Sequence, residues 1–296
     1  MTATGAADRL AERLLDEAVR AQQRAGWSLA APGWAEYRRA LARPARRVDE
    51  RMFRLVRLGP GDRVLDLACG AGGPALAAAE RVGRDGRVLG LDLAEPMVAA
   101  ARSLARERGA AQAGFRAIAA ENELGVPPGS FDAAFCRAGL PYMPDRAGAL
   151  RAVRAALRPG GRFAALLADE PGAVSPFRLR HGVVTRRGPA DRAARRTRAA
   201  RRRVPREWAA LLESAGFTGV RAEAGRAAVF EAEHAAAAWV LIVRTSGELL
   251  SWYSGLDERT RDAVHREAVQ VLAARFPDGP VRPPGEVVLL TGTNPG

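Results

Sequence analysis

The sequence predicts an α/β fold built on a parallel sheet, and most of the support for this prediction lies in one stretch, Val64 to Met97. Three features appear there in order: an apolar strand followed by closely spaced glycines, a helix, and a second apolar strand. An acid stands at the end of each strand, Asp66 in the first and Asp92 after the second. Parallel strands end at a common edge of the sheet, so both acids are expected at one edge.

The first strand and its glycines have simple local causes. The apolar residues Val64, Leu65 and Leu67 suit a buried parallel strand. Gly70, Gly72 and Gly73 then allow the backbone to turn tightly beneath a ligand. We therefore expect Gly72→Val to abolish ligand binding, because a branched side chain would intrude where the backbone approaches the ligand.

The helix and the second strand follow from the next residues. Pro74 loses no needed hydrogen bond at the start of a helix, and the run from Ala75 to Arg81 favours the helical state. The second strand, Arg87 to Leu91, leads into Asp92, where a carboxylate can accept hydrogen bonds from a ribose diol.

Two kinds of nucleoside cofactor suit this unit. Gly70, Gly72 and Ala75 have the spacing of nicotinamide and flavin folds, but Asp66 would repel a pyrophosphate. A sulfonium ligand tolerates that acid. With Asp66, Ala68, Gly70 and Gly72 in the acid-x-Gly-x-Gly-x-Gly pattern, the chain resembles the class I S-adenosylmethionine (SAM) methyltransferases, and Ala68 stands where the family has its first glycine.

The resemblance implies SAM as cofactor and a Rossmann-like, doubly wound, seven-stranded sheet. It also implies an N-terminal helical segment and cap insertions around that sheet. The ribose is expected on Asp92, and the methionine end near Asp66 and Gly70. The cofactor-binding residues implied by the resemblance are Asp66, Ala68, Gly70, Gly72, Asp92, Leu93, Met97, Ala120, Glu121 and Cys136.

Further matches extend the resemblance downstream. Phe115 to Glu121 and Ser130 to Cys136 match the third and fourth strands, and Leu157 to Leu167, with its Pro-Gly-Gly turn, matches the fifth. Leu211 to Val220 and Glu286 to Thr291 match the later helix and strands. The pattern is closest to quinone-biosynthesis C-methyltransferases and natural-product small-molecule methyltransferases.

One position departs from the family in a way that affects the adenine. Many members have an Asp after the third strand that bonds the adenine amino group, and this chain has Ala119 there. The lost charged hydrogen bond weakens binding by roughly 1.5–3 kcal/mol unless Glu121 or a backbone group replaces it.

Composition limits the class of protein. The chain has 296 residues, 48% of them hydrophobic, enough for one large core with a cap. No apolar run is long enough to span a bilayer, and the acids near the N-terminus argue against a secretory signal, so we expect a cytoplasmic protein. In that compartment Cys69 and Cys136 stay reduced, and we interpret both as small residues of the pocket wall.

The net charge of +13 is concentrated in one segment. Arg178 to Arg206 contains twelve arginines and one acid, so +11 lies there and 13 − 11 = +2 remains for the rest of the chain. Such a segment is most often a solvated helix face or loop, so RNA binding is the weaker alternative. The loop after the fourth strand also lacks the Asn-Pro-Pro-aromatic motif of many nucleic-acid methyltransferases.

Four regions are expected along the chain. They are a helical lid segment at 1–49, a SAM-binding core at 50–170, an arginine-rich cap insertion at 171–206, and the remaining strands with a helical cap insertion at 207–296. We predict two helices between Glu233 and Phe276. No internal repeat is visible.

Two predictions concern the N-terminal segment. Its first helix should pack on the core through a shared apolar face, Leu10, Leu14, Leu15 and Ala18. The aromatic residues Trp27, Trp34 and Tyr37 follow in a stretch interrupted by Gly and Pro. They belong either to a lid over the cofactor or to ordinary packing.

Methyl transfer demands little of side chains beyond alignment, and the base candidates are correspondingly weak. Tyr142 and His181 are chosen because the loops after the fourth and fifth strands reach the active site. No metal site is predicted. We expect a small-molecule acceptor methylated on oxygen or carbon. The alternatives are an RNA methyltransferase, a SAM-binding cyclase that transfers no methyl group, and a binding protein without activity. The sequence leaves the oligomeric state open.

Overall fold

A computed structural model describes residues 3–168, 198–228 and 230–296, with side chains from residue 11 onward and from residue 205 onward after the first gap. The strands are β1 (Arg63–Leu67), β2 (Arg87–Asp92), β3 (Ala113–Ala117), β4 (Phe131–Arg137), β5 (Leu157–Ala168), β6 (Thr218–Ala228) and β7 (Pro284–Thr293). The helices are α1 (Ala3–Glu36), α2 (Arg38–Leu55), α3 (Gly73–Val82), α4 (Glu95–Glu107), α5 (Arg146–Ala156), α6 (Arg198–Ser214), α7 (Ala235–Thr245), α8 (Gly247–Ser254) and α9 (Glu258–Arg275).

The strands form one seven-stranded sheet in the order β3-β2-β1-β4-β5-β7-β6. The first five are parallel, and β7 runs antiparallel to both β5 and β6. The strand order reverses between β1 and β4, and in such sheets ligands bind at the carboxyl ends beside this point. The predicted Rossmann-like, doubly wound sheet is confirmed.

Alternating side chains of each strand build two separate cores. On one face Phe135, Ala164 and Val64 pack with residues of α2, α3 and α4. On the other face Ala134 and Phe163 pack with residues of α5 and α6. The alternation follows from the two-residue period of a strand, and the helices on both faces explain why the central strands are apolar throughout.

Three helices, and not the predicted two, lie between β6 and β7. Ser246 separates α7 from α8, because its hydroxyl accepts a hydrogen bond from the amide of Leu249 and so begins a new helix. Together with α9 these helices have a core of their own, which includes Trp239, Ile242 and Leu272.

The prediction for the first turns of α1 is wrong. Leu14 and Leu15 are 60% and 66% exposed, and the side chain of Leu10 lies outside the described part. The helix reaches the core later, at the buried residues Ala30 and Ala31, and it continues through the stretch that sequence reasoning expected to be interrupted. An apolar stripe indicates burial only when another element is there to cover it.

Glycines hold α1 against the C-terminal helices. A side chain at Gly33 would overlap the carbonyl group of Arg244 in α7, and one at Gly247 in α8 would overlap the backbone of Gly26. The indole N–H of Trp34 also donates to the carbonyl of Thr245 at 2.9 Å. The N-terminal helix and the C-terminal helices therefore pack as one layer.

The arginine-rich segment is described only in part. Residues 171–197 lie outside the described residues, whereas 198–206 form the beginning of α6. The Pro-Gly-Gly turn lies inside β5, near its start, where the register of its pairing with β4 moves from Phe131–Leu157 to Ala133–Arg162. Gly160, with φ of +76°, allows this bend.

Candidate functional site

The glycine loop between β1 and α3 has two glycines that serve different purposes. Gly70 has φ of +53°, and a Cβ there would meet nothing within 4 Å, so this side of the loop is open. Gly72 has φ of +86°, but its Cβ would lie 2.8 Å from the Cβ of Ala101 and 3.3 Å from the Phe115 ring. The expectation that a valine at position 72 would intrude on the ligand is therefore wrong. The substitution would disturb the packing of the loop on α4 and β3, on the side of the loop that faces the protein.

Asp92, at the end of β2, is bound to the glycine loop. Its carboxylate accepts hydrogen bonds from the amide of Gly70 at 2.8 Å and from that of Ala94 at 3.0 Å. Burial raises the pKa of Asp92, and these amides oppose the rise. The loop and the strand-end acid are thus placed together at the edge that the sequence predicted.

Asp66 is the most unusual group at this edge. Its side chain is completely buried, and neither carboxylate oxygen makes a hydrogen bond of normal geometry among the described residues, although the backbone amide of Ala75 lies near enough to oppose the rise of its pKa. Burial raises the pKa of Asp66 well above its usual range; Arg137 opposes this effect, while Asp49 and Asp92 add to it. A buried polar group without a partner is costly, so this carboxylate could hold a ligand cation that reaches it.

Sequence reasoning missed the ion pair beside Asp66. Arg137, at the end of β4, contacts Asp49 of α2 with N–O distances of 3.1 and 3.3 Å. Burial raises the pKa of Asp49, and Arg137 opposes that rise. The pair ties α2 to the edge of the sheet beneath the glycine loop. Nothing in the spacing of residues 49 and 137 could have paired them.

The two acceptors considered for an adenine amino group already have donors. Glu121 is 5% exposed and accepts from Arg20 of α1 at 2.7 and 3.0 Å, and from the amide of Asp145 at 2.9 Å. The carbonyl of Ala119 accepts from Arg24 of α1 at 2.8 Å. Two arginines of α1 therefore bind Glu121 and one backbone carbonyl of this loop, contacts that the sequence did not predict.

The last third of α1 lies over the start of α4. Ala30 and Ala31 form a cluster with Ala94 and Met97, and Trp27, Trp34 and Ala71 pack around it. Met97 is 2% exposed. Of the other predicted cofactor residues, Leu93 and Ala120 are half-buried in the loops after β2 and β3. Tyr37 packs elsewhere, with the core of the C-terminal helices.

Tyr142 ends a short 3₁₀ turn, Leu140–Tyr142, after β4. Its ring is 44% exposed and meets the Trp27 ring edge-on at a centroid distance of 5.1 Å. A tyrosine hydroxyl is protonated at neutral pH, and desolvation raises the pKa of Tyr142 further. His181, the other predicted catalytic residue, lies outside the described residues.

The two cysteines are packed in the core on the two faces of the sheet. Both are free thiols, with Cys69 3% exposed and Cys136 completely buried. Burial raises the pKa of Cys136 to about 12. The side chain of Cys136 packs among strands and helices of the sheet.

The described part of the chain has neither a cluster of metal-binding side chains nor a helix suited to a membrane. Residues 3–168, 198–228 and 230–296 contain no group of three or more His, Cys, Asp or Glu side chains able to hold a metal ion. Within these ranges no helix has the length and apolar character needed to cross a membrane.

Comparison with known sequences identifies relatives of this chain. Residues 64–161 match a family described as a methyltransferase domain. Nocamycin O-methyltransferase of Saccharothrix syringae is 33% identical over 264 residues, which cover 83% of this chain and 90% of the relative. Aklanonic acid methyltransferase DauC of Streptomyces sp. (strain C5) is 40% identical over 104 residues, covering 35% of this chain and 47% of the relative.

Solved structures share the fold at low identity. The YcgJ protein from Bacillus subtilis superposes with a TM-score of 0.53 at 19% identity, covering 85% of this chain and 99% of that protein. The 4+2 cyclase SpnF superposes with a TM-score of 0.50 at 22% identity, covering 85% of this chain and 82% of the cyclase.

Proposed function

Because this chain belongs to the class I SAM-dependent methyltransferases, we propose that it methylates an oxygen or carbon nucleophile of a small, apolar metabolite. The relative that matches most of the chain is named as an O-methyltransferase of nocamycin, and this match is the observation that carries the proposal. Oxygen is therefore the first nucleophile to test. The proposal places the reaction in specialised metabolism and in the cytoplasm.

The strand-end acids and the glycine loop are proposed to hold SAM, the cofactor of this family. Asp92 would accept hydrogen bonds from the ribose hydroxyls of SAM, and Asp66 would face its charged methionine end. The open side of Gly70 supports this arrangement, because the backbone can approach a ligand there. Leu93, Met97 and Ala120 would line the adenosine. Ala68 and Gly72 would shape the glycine loop, and Glu121 and Cys136 would border the bound cofactor. When bound, SAM supplies a methyl group activated by its sulfonium.

The remaining residues align the acceptor and exclude water. Positioning alone supplies roughly 7–11 kcal/mol of a barrier of this kind. We propose that α1 acts as the lid and that Tyr142, beside Trp27, touches the acceptor. A hydroxyl that keeps its proton can orient the acceptor by donating a hydrogen bond. In this scheme His181 is the remaining candidate for proton removal.

The test separates cofactor binding from turnover. Calorimetry should show SAM binding to the parent protein and at least about tenfold weaker binding to Asp92→Ala, since the ribose loses a charged acceptor. Asp85→Ala is the control, because Asp85 is an exposed acid before β2, at the opposite edge of the sheet. Equal SAM affinity in the two variants, with thermal melting showing both folded, would contradict the role of Asp92.

Turnover is measured with phenolic and enolic acceptors by following S-adenosylhomocysteine and a product heavier by one methylene. Tyr142→Phe should lower kcat and leave SAM affinity unchanged. Acceptor conversion without S-adenosylhomocysteine would instead indicate a cyclase.

A further inference from the structure

The C-terminal helical layer contains a cavity that the proposed methyl transfer does not use. It has a volume of about 440 Å³ and is formed by α7, α8 and α9 alone. None of its lining residues belongs to the glycine loop, the strand-end acids or the Trp27–Tyr142 pair. A volume between roughly 300 and 1,000 Å³ is typical of sites for small molecules.

The wall of this cavity is mainly apolar and aromatic. Val240, Val243 and Leu250 line it together with Trp239 and Tyr253, whose rings meet edge-on at 5.8 Å. Such walls bind the flat, apolar part of a ligand. Val240 lines the cavity and is 38% exposed, so part of the cavity wall is open to solvent.

One donor in the wall has no acceptor. Trp239 is 1% exposed, and its indole N–H has no hydrogen-bond partner among the described residues. Buried N–H groups are nearly always paired, and the exceptions call for an explanation. The nitrogen itself is closed to solvent, so a ligand oxygen in the adjoining cavity would supply the acceptor only after a small movement of the side chains around it. The indole of Trp34 differs, because it already donates to Thr245.

The charged lining residues have the same sign. They are Arg244 and Arg261, and no acid lines the cavity. Arg244 is paired with Glu36 of α1 at 2.7 Å. Arg261 donates to the carbonyls of Tyr253, Ser254 and Leu256, so its cationic head is held in place by neutral groups. A cation fixed in advance favours an anionic ligand.

We propose that this cavity is a second small-molecule site, separate from the cofactor edge, which binds a flat apolar molecule bearing a carboxylate or enolate. Its apolar rings lie against Trp239 and Tyr253. Its oxygen accepts from the Trp239 indole and faces Arg261.

The test uses 2-naphthoate as the probe and ¹⁵N-labelled tryptophan in the full-length protein. Adding the probe should shift the indole signal of Trp239, assigned with Trp239→Phe, more than the other four indole signals. Saturating S-adenosylhomocysteine should not displace the probe. The largest shift at Trp27 or Trp34, or displacement by S-adenosylhomocysteine, would place the probe at the cofactor edge and overturn the proposal. No shift at millimolar probe would overturn it as well.

Two valines provide matched variants. Val240→Trp should fill the mouth of the cavity and weaken 2-naphthoate binding at least about tenfold. Val271→Trp is the control, because Val271 is 44% exposed on α9 and does not line the cavity. Equal weakening in both variants would contradict the assignment. The neutral analogue 2-naphthalenemethanol should bind several-fold more weakly than the acid, and equal affinity would overturn the choice of an anion.

Discussion

The methyl group of Ala68 occupies space left free by the missing side chain of Gly139. Ala68 stands where the family has a glycine, and its φ of +61° is a conformation that strains alanine. Gly139 has an ordinary φ of −84°, but a Cβ there would overlap the Cβ of Ala68 and lie 3.0 Å from the Cys136 sulfur. The absence of a side chain at Gly139, in the loop after β4, therefore leaves space for an alanine in place of glycine at position 68.

This pair predicts a strong coupling in stability. Gly139→Ala should destabilise the parent protein by about 1–3 kcal/mol through overpacking. In an Ala68→Gly background the same change should cost at least about 1 kcal/mol less, since only the Cys136 contact remains. Denaturant unfolding of the four proteins measures the difference. Additive effects would show that the two positions do not share this space.

Ala68→Gly alone should be neutral or slightly stabilising, because the relief of strain offsets the added freedom of the unfolded chain.

The contact between Arg20 and Glu121 predicts how firmly α1 is held. The two side chains are 14% and 6% exposed, so solvent screens them little. Arg20→Met should speed amide hydrogen exchange in residues 11–36 and raise the rate of SAM dissociation several-fold, with β1 and β2 unchanged. Arg13→Met, an exposed arginine on the same helix, is the control. Unchanged exchange in α1 would mean that its other contacts suffice to hold it.

Asp66 predicts a dependence of stability on pH. Its pKa is raised in the folded protein, so the folded state binds more protons than the unfolded chain between the two pKa values. Its stabilising contribution is therefore complete below an unfolded pKa of about 3.9 and is lost as the pH rises through the raised value. Asp66→Asn removes this titration.

The measurement is thermal melting of parent and Asp66→Asn across pH 4 to 8, a range set by the direction of the shift. The free energy of unfolding of Asp66→Asn should exceed that of the parent by an amount that grows with pH. The difference should reach at least about 1 kcal/mol, because an unpaired buried charge is costly. Asp49, Arg137, Asp92, Cys69 and Cys136 face the same region and are common to both proteins. A difference that does not change with pH would show that Asp66 is not the group that titrates.

The arginine-rich segment predicts a distinction between metabolite and RNA. For a small-molecule enzyme, replacing Arg195, Arg196, Arg201, Arg202 and Arg203 by Ser should leave SAM affinity unchanged. For an RNA enzyme, losing five phosphate contacts would reduce the salt slope of binding by about 3–5 units. We expect no RNA binding by the parent at physiological salt. Sub-micromolar affinity in a gel-shift measurement, lost in the fivefold variant, would favour the RNA alternative.

The strand-loop-helix-strand unit, its glycine loop and both strand-end acids could be read from the sequence. These features depend on local properties: apolar runs, glycine conformation, and the rule that parallel strands end at one edge. The family resemblance rested on the same short-range patterns. Asp66 and Asp92 were found in this way because each follows an apolar run directly.

Contacts between residues far apart in the chain were decided only by the tertiary structure. Arg20 meets Glu121 across 101 positions, Arg137 meets Asp49 across 88, and Trp34 meets Thr245 across 211. No periodicity or spacing encodes such pairs, because they depend on how complete helices pack against the sheet. For the same reason Leu14 and Leu15 belong to an apolar stripe and yet remain exposed. Local chemistry determined which elements form, and packing determined which of their side chains meet.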